Sequence, residues 1–377
     1  MKFQIGPIRP PSEANSLLLR VTENCPWNKC KFCMLYKTKK FHTRTVKEIK
    51  KDIDAMAYYR DKIQSHYLNG NLDRKAIQEE FDQLPTQKEK ECYYMVFHWL
   101  TEGNSHSIFL QDANTLVLKT EWLVEIVTYI RQKLPEIQRV TSYGRADTLS
   151  CITQEQFYQL KSAGLDRIHS GFETGSDDVL QLIGKGSTQK QQIEGGKKVK
   201  QAGIELSIYF MPGAGGKEYS QKNAIETANV INAVNPDFVR LRTFVVKTGS
   251  LMEDLVKTEK FIECSDIEKL LEIKIMLEHI QNCNGYLASD HIINLLQNVN
   301  GYLDKDLYTM LEYINSFLAL PRKMQRKYQI ARRMGFSADW TMMDRLNHQD
   351  MIEQYEKNIP DGEQFEKLLN HYMDYYI

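Results

Sequence analysis

The stretch Asn24-Cys25-Pro26-Trp27-Asn28-Lys29-Cys30-Lys31-Phe32-Cys33 decides how this chain is read. It holds three of the seven cysteines. It follows an apolar run, Leu17-Leu18-Leu19-Arg20-Val21, that reads as a strand. The loop therefore leaves the C-terminal end of a strand, where α/β proteins build their sites. Three thiolates on one loop can hold a metal ion or an iron–sulfur cluster. Clusters are usually held by four cysteines, but Cys92, Cys151, Cys264 and Cys283 are isolated in the sequence. A tri-thiolate [4Fe–4S] cluster leaves one iron open to a small-molecule ligand. A Cys3His zinc site is the competing reading. It is weakened because only one C-x2-C knuckle is present and His42 is the nearest histidine. Packing of free cysteines is the third reading, and three on one loop are a poor fit to core packing.

Working outward, the chain of 377 residues suffices for one large α/β barrel or two ordinary domains. A hydrophobic fraction of 42% and a charged fraction of 26% are those of a globular protein. Lys+Arg and Asp+Glu are equal at 49 each, so no global field points to nucleic acid or an anionic membrane. No apolar run is long enough for a membrane span, and Met1-Lys2-Phe3-Gln4-Ile5-Gly6-Pro7 lacks a signal-peptide core. An odd cysteine count with a tight triad fits a reducing cytoplasm better than a disulfide scaffold.

The middle of the chain alternates short apolar runs with helical patterns, which predicts a parallel α/β sheet. Strands are expected near 17–22, 107–110, 139–143, 167–172, 204–210 and 237–244. Val46, Ile49, Ile53 and Met56 recur at helical spacing and predict a first helix. Residues 57–105 read as a helical insertion broken at Asn69-Gly70-Asn71, with Tyr93, Tyr94, Phe97, His98 and Trp99 as its packing face. Trp122, Ile126 and Ile130 share a face of the next helix, and Gly164 sits at a C′ position after a helix over 153–163. Ser176 is a candidate cap for the helix that begins at Asp177. The remainder, 259–377, reads as almost wholly helical, with Leu270, Leu271, Ile273, Met276, Leu277 and Ile280 as a stripe. The predicted division is 1–258 and 259–377.

At the cysteine loop the sequence resembles the radical S-adenosylmethionine (SAM) superfamily. The usual spacing there is C-x3-C-x2-C with an aromatic residue before the last cysteine. Phe32 precedes Cys33 as that pattern asks, whereas the first gap holds four residues, Pro26 to Lys29. The loop also resembles a subgroup with CPWN-x-C-x-FC after a PIRPPSEA lead-in, here Pro7 to Ala14. The resemblance implies a partial (β/α)6 barrel with the helical insertion after its first helix and the helical region at its C-terminus. It implies that Cys25, Cys30 and Cys33 ligate a [4Fe–4S] cluster and that SAM chelates the fourth iron.

The resemblance also marks cofactor residues, among them Phe32 of the loop. Gln111-Asp112-Ala113-Asn114 lies where the family carries its GGE motif, so Asp112 is the candidate acceptor for the SAM ammonium; a loop Asp capping the next helix is the plainer reading. Ser170-Gly171-Phe172-Glu173-Thr174-Gly175 resembles the family's G-x-E-S/T-G segment, which gives Glu173 a role on ribose or on the SAM amine; a structural pair with Arg145 is its alternative. Met211-Pro212-Gly213-Ala214-Gly215-Gly216 resembles the fifth-strand turn that holds adenine, with Met211 and Gly213 as contacts. No Gly-Lys-Ser/Thr follows at P-loop spacing. Arg145, Arg240 and Arg242 are candidate barrel-facing cations, and Arg240 and Arg242 share a face. His291 and Asn294 are placed on one helix face at i and i+3, where His291 reads more simply as a structural residue. Arg322, Lys323, Arg326, Lys327, Arg332 and Arg333 read as a solvated basic helix face.

The function expected is that of a radical enzyme that cleaves SAM reductively and takes hydrogen from an unidentified substrate. A low-potential electron donor, flavodoxin or ferredoxin, is the expected partner, with no membrane and no nucleic acid. A radical-SAM-like binding protein, such as a HemW-like haem chaperone, is the second reading and a zinc-stabilised structural protein the third.

Overall fold

The run Leu17–Arg20 forms the first strand (β1), with Leu17 and Leu19 fully buried. Ser107–Gln111 (β2) pairs with it in parallel, Leu17 opposite Ile108 and Arg20 opposite Gln111. Arg139–Tyr143 (β3) and Leu165–Glu173 (β4) follow in parallel, with a register shift between Val140 and Thr141. All five residues of β2 are buried, as a strand covered on both faces must be. The computed structural model describes residues 1–68, 70–103 and 106–374. Asn69 of the expected break, 104–105 of the expected insertion and 375–377 at the C-terminus lie outside the described residues.

The described residues group into two compact units. The first comprises Met1–Pro26, Thr38–His169 and Gln201–Glu205, and the second comprises Trp27–Lys37, Ser170–Lys200 and the chain from Leu206 on. In the first unit, Val46–Ser65 (α1) opens on a capping box in which Thr45 and Glu48 each bond the other's backbone N–H. The helix runs past the expected start of the insertion because Ala57, Tyr59 and Ile63 prolong its buried face. A ribbon of Tyr67–Leu68 with Asn71–Leu72 precedes Arg74–Asp82 (α2) and Gln87–Thr101 (α3). The packing face of α3 is Cys92, Tyr93, Val96 and Trp99, while Tyr94 is exposed. On Thr120–Lys133 (α4) the buried face is Leu123, Ile126, Val127 and Ile130, and Trp122 is exposed. Both differences have one cause: the 3.6-residue period turns the neighbouring aromatic about 100° away from the core. Ala146–Cys151 (α5) and Gln154–Ala163 (α6) follow, and α6 ends on Gly164 at φ 105°, the left-handed cap that glycine favours.

In the second unit, Glu205–Phe210 (β5, in this unit from Leu206 on), Phe238–Leu241 (β6) and Tyr286–Ala288 (β7) are parallel neighbours, and Gly301–Tyr302 (β8) pairs antiparallel with β7. The architecture is α/β with mostly parallel strands, and among the described residues neither unit's strands close into a complete barrel. Asp177–Leu182 (α7) starts after Ser176, whose hydroxyl makes no capping bond; Asp177 instead accepts from the N–H of Gln189, at the start of Gln189–Gln201 (α8). Gly216–Val234 (α9) packs on Asp266–Glu278 (α11), with Leu251–Lys257 (α10) between them in sequence. Five members of the expected stripe, Leu270, Ile273, Met276, Leu277 and Ile280, are buried, and Leu271 is exposed.

Three expectations fail in the C-terminal region. It is not almost wholly helical, since β7 and β8 interrupt it. His291 and Asn294 lie in the turns joining those strands, not on a helix. The cause is the pairing of Leu287 with Val239, which places a three-residue apolar run in a sheet. Leu307–Leu318 (α12), Arg322–Arg333 (α13), Gln349–Asn358 (α14) and Glu363–Asp374 (α15) complete the chain. The basic helix α13 is not a solvated face. Arg333 makes a two-pronged buried pair with Asp266, Nε to Oδ2 at 3.2 Å and Nη2 to Oδ1 at 2.5 Å. Arg326 pairs with Glu356, and Arg332 donates to the Asn294 carbonyl. Among the described residues no helix is long and apolar enough to cross a membrane.

Candidate functional site

The cysteine loop begins in the first unit. Asn24 adopts φ 68° just before Cys25, and its side chain donates to the Lys40 carbonyl at 2.6 Å. Its backbone N–H donates to Asp112 Oδ2 at 2.8 Å. The same oxygen receives Arg20 Nε at 3.1 Å and Nη2 at 2.8 Å, so one carboxylate joins the ends of β1 and β2 to the start of the loop. Asp112 is buried, and that burial pushes its carboxyl up against the opposing pull of Asn24 and Arg20. Its Oδ1 makes no hydrogen bond to another described residue. Gly6 lies so close to that oxygen that a Cβ there would overlap it. Gly6 also donates its N–H to Gln111 Oε1 at 2.8 Å. The plainer reading of Asp112, a helix cap, gives way to a different structural duty: one oxygen is committed to the loop and to Arg20.

Arg145 sits at the start of α5. Its backbone N–H donates to Asn114 Oδ1 at 3.1 Å, and its buried guanidinium meets Asp147 at 3.0 Å. Farther down the interior, buried Glu13 of the lead-in accepts from Ser16 and lies 3.2 Å from His169 Nε2. His169, Ser16 and Arg139 together hold the Glu13 carboxyl below its usual range in spite of burial, the largest opposing influence. Neither sequence pattern nor family resemblance flagged this pair.

The rest of the loop belongs to the second unit, where it is fastened to the α7–α8 connection. Trp27 Nε1 donates to the Gly184 carbonyl at 2.9 Å, and Lys31 N–H to the Ile183 carbonyl at 2.8 Å. The Trp27 ring lies on Gly186, at φ 71°, where any Cβ would overlap the indole. Cys30 is buried and Cys33 half-buried. Lys37 Nζ donates to the carbonyls of Cys30 at 2.8 Å and Asn28 at 3.1 Å, which holds the stretch that leads into the second cysteine. Phe32 meets Phe244 edge-on at 6.3 Å and packs on a core that includes Val179, Ile183 and Met211.

Glu173, Met211 and Gly213 are brought together by backbone. Glu173 adopts φ 65°, uncommon for a residue with a side chain, and its carbonyl accepts the Met211 N–H at 2.7 Å. Its carboxylate pairs with Lys185 at 2.7 Å, with both side chains about nine-tenths buried. Gly171 leaves the room for that pair, because a Cβ there would overlap the carboxylate. Gly213, at φ 88°, donates its N–H to Glu272 Oε1 at 2.9 Å. Lys185 and Glu272 were missed in the sequence. Lys185 had a signal, its place at the end of the α7 segment, but Glu272 had none that points to the turn.

Arg240 is buried, with Nη1 2.7 Å from Asp290 Oδ2 and Nε 3.1 Å from Ser207 Oγ, so Asp290 is its anion. Arg242 is half-buried just past the end of β6. Asn294 Oδ1 accepts from the Thr243 N–H at 2.9 Å and its amide donates to the Leu241 carbonyl at 2.8 Å, which ties the turn to β6. His291 Nδ1 accepts from the Ile293 N–H at 3.3 Å. Among the described residues no three His, Cys, Asp or Glu side chains are gathered around a metal position.

The Radical SAM superfamily model matches residues 19–228, more than half of the chain. No curated protein matches the sequence. Among solved structures, an archaeal Elp3 of Methanocaldococcus infernus with an N-terminal deletion is 15% identical, covering 54% of this chain and 53% of that one at a TM-score of 0.40. Methylornithine synthase (PylB) is 13% identical over 72% of this chain and 67% of its own, with a TM-score of 0.42. The cobalamin-dependent S-adenosylmethionine radical enzyme OxsB, with aqua-cobalamin and S-adenosylmethionine bound, is 15% identical over 95% of this chain and 52% of its own, with a TM-score of 0.45. The chain thus spans about half the length of the Elp3 and OxsB chains.

Proposed function

The chain belongs to the radical SAM superfamily, whose enzymes use a [4Fe–4S] cluster and S-adenosylmethionine, and from that premise we propose that Cys25, Cys30 and Cys33 ligate three irons and leave the fourth to SAM. The observation that carries this reading is the loop itself: three thiols inside the family-matched span, fastened by Asp112 before Cys25 and by the Ile183 carbonyl after Cys30. The donor set fits. Thiolates are the cluster's ligands in proteins, and Asp112 Oδ1 is a buried acceptor with no hydrogen bond among the described residues, of the chemistry that takes an ammonium.

Bound there, the cluster would supply the electron that cleaves the C5′–S bond of SAM to a 5′-deoxyadenosyl radical, which takes hydrogen from the substrate. The chain's own residues do the rest. Glu173 accepts from SAM hydroxyl or amine groups, Met211 and the Gly213 turn offer apolar surface and main chain to adenine, and Phe32 packs beneath the loop. Arg145 contributes positive charge near the Asp112 loop. We assign the barrel to 1–258, with the segment after α1, 66–105, inserted, and the substrate-facing additions to 259–377. The electron comes from a low-potential donor, flavodoxin or ferredoxin, in a reducing cytoplasm.

Iron and sulfide analysis after anaerobic reconstitution, with EPR of the reduced protein, tests the reading. Wild type should hold about four irons and give a [4Fe–4S] signal that changes when SAM is added. The triple alanine variant of Cys25, Cys30 and Cys33 should hold none, while C92A should match wild type. A cluster that survives the triple substitution, or zinc in place of iron, refutes the assignment.

A further inference from the structure

Glu272 stands outside the family-matched span, yet it touches the turn that the proposed function gives to SAM. It is fully buried on α11. Oε1 accepts the Gly213 N–H at 2.9 Å and Asn223 Nδ2 at 2.6 Å, and Oε2 accepts Ser220 Oγ at 2.6 Å. Asn223 Nδ2 also reaches the Met211 carbonyl, at 3.4 Å. The carboxylate therefore holds both ends of Met211-Pro212-Gly213, directly through Gly213 and through Asn223 to Met211. Lys269, one turn earlier on α11, lays its methylenes against Gly213, where a Cβ would meet its Cε at 2.9 Å. Its ammonium is paired with Glu263 at 3.1 Å, so its stem packs on the turn while its head is held by that carboxylate.

A glycine at φ 88° has many conformations open to it, and a turn of this kind keeps one only when outside bonds select it. Here two of those bonds, from the Gly213 N–H directly and from the Met211 carbonyl through Asn223, converge on one carboxylate of a distant helix, while the Glu173 carbonyl and the Phe244 N–H hold the Met211 N–H and the Pro212 carbonyl. An apolar residue at 272 would leave the Gly213 N–H buried without its partner, a loss of about 1–3 kcal/mol, and would remove the shorter of the two bonds of Asn223 Nδ2. Mere packing between α9 and α11 does not call for such a group.

We propose that Glu272 is a positioning residue for SAM: it fixes the Met211–Gly213 main chain in the conformation that receives the adenine, and so makes the C-terminal region part of the cofactor site. This rests on the proposed function, which gives that turn to SAM. The test compares SAM dissociation constants, by equilibrium dialysis on the reconstituted protein, for wild type, Glu272→Ala and Glu272→Gln. The glutamine can keep all three bonds, because its carbonyl accepts from Gly213 and Asn223 while its amide donates to the rotatable Ser220 hydroxyl. E272A should weaken SAM about tenfold or more at unchanged iron content, a loss of about 1.4 kcal/mol, and E272Q should stay within about twofold of wild type. A purely structural role would lower thermal stability in E272A while the folded protein bound SAM normally; that result overturns the proposal. Should E272A fail to fold, Asn223→Ala removes the link to Met211 and leaves the carboxylate in place. It should weaken SAM about threefold or more, and normal affinity in folded N223A overturns the proposal equally. Failure of the underlying SAM reading is distinct: wild type itself would bind no SAM.

Discussion

The Glu173–Lys185 pair permits a test that separates a structural carboxylate from one that serves SAM. The perturbation is Lys185→Met, which keeps most of the side chain's length and removes its charge. Nζ lies 2.7 Å from Oε1, and the two side chains are 8% and 11% exposed. Gly171 beneath them leaves no slack, since even one added carbon would overlap the carboxylate. Removing one partner of a buried pair strands the other charge, at a cost of about 3–5 kcal/mol. The residual exposure lets water reach Glu173, so the lower end, about 3 kcal/mol, is expected for K185M. Replacing both partners by neutral groups of similar size is often close to neutral, so E173Q/K185M should recover to within about 1 kcal/mol of wild type. Adding E173Q to K185M should therefore recover about 2–3 kcal/mol, a non-additivity expected of residues in contact.

Urea unfolding under anaerobic conditions reads the stabilities, and equilibrium dialysis reads SAM affinity on the same proteins. The double variant should be stable yet bind SAM at least about tenfold more weakly, because the amide has lost the charge that SAM's amine would meet. A K185M protein within 0.5 kcal/mol of wild type, the usual scatter for a surface change of about that size, refutes the buried pair. A stable double variant with normal SAM affinity refutes the cofactor role of Glu173.

Stability should also depend on pH through Glu272. Burial pushes its carboxyl up to about 7 from an ordinary 4.5, against the pull of Ser220, Gly213, Asn223 and Lys269, with the Cys264 thiol also nearby. Between those values the native state keeps a proton that the unfolded chain releases, so stability falls as pH rises through the window, by up to about 3 kcal/mol. Glu366, also raised to about 7 by burial and Asp266, acts in the same direction; urea midpoints at pH 5 and pH 8 should therefore diverge in wild type and diverge less in E272Q, and equal slopes would refute the shift. Asp266→Asn strands the buried Arg333 guanidinium and should destabilise by about 3–5 kcal/mol, read as a lowered urea midpoint; an unchanged midpoint would mean that α13 does not depend on this pair.

What the sequence made legible follows from how local each signal is. β1, the cysteine loop and the helix ending at Gly164 are written in adjacent residues, and the structure has them where the pattern puts them. Trp122 and Tyr94 misled because an aromatic residue beside an amphipathic face looks like part of it, although one step along the helix turns it out. β7 was read as helix because three residues carry no period, and only the partner strand β6 makes them a strand. The α13 arginines read as solvent-facing because their carboxylate and carbonyl partners, Asp266, Glu356 and Asn294, are scattered through the sequence. Lys185 and Glu272 escaped for the same reason: each is defined by a group 12 and 59 residues away.

That dependence on distant partners has a consequence for how the second unit would evolve. The Glu173 carbonyl holds the Met211 N–H, Asn223 reaches the Met211 carbonyl, and Glu272 holds Asn223 and Gly213. These bonds form one connected set, reaching from the end of β4 to α11. In such a set the energies do not add, because losing one bond changes the geometry of the next. A substitution on α11 can then alter the main chain beside Met211 without touching any residue of the family's motifs. If the proposal that this turn receives SAM holds, exchanging the C-terminal region between relatives should carry SAM affinity with it, because Glu272 on α11 accepts the Gly213 N–H.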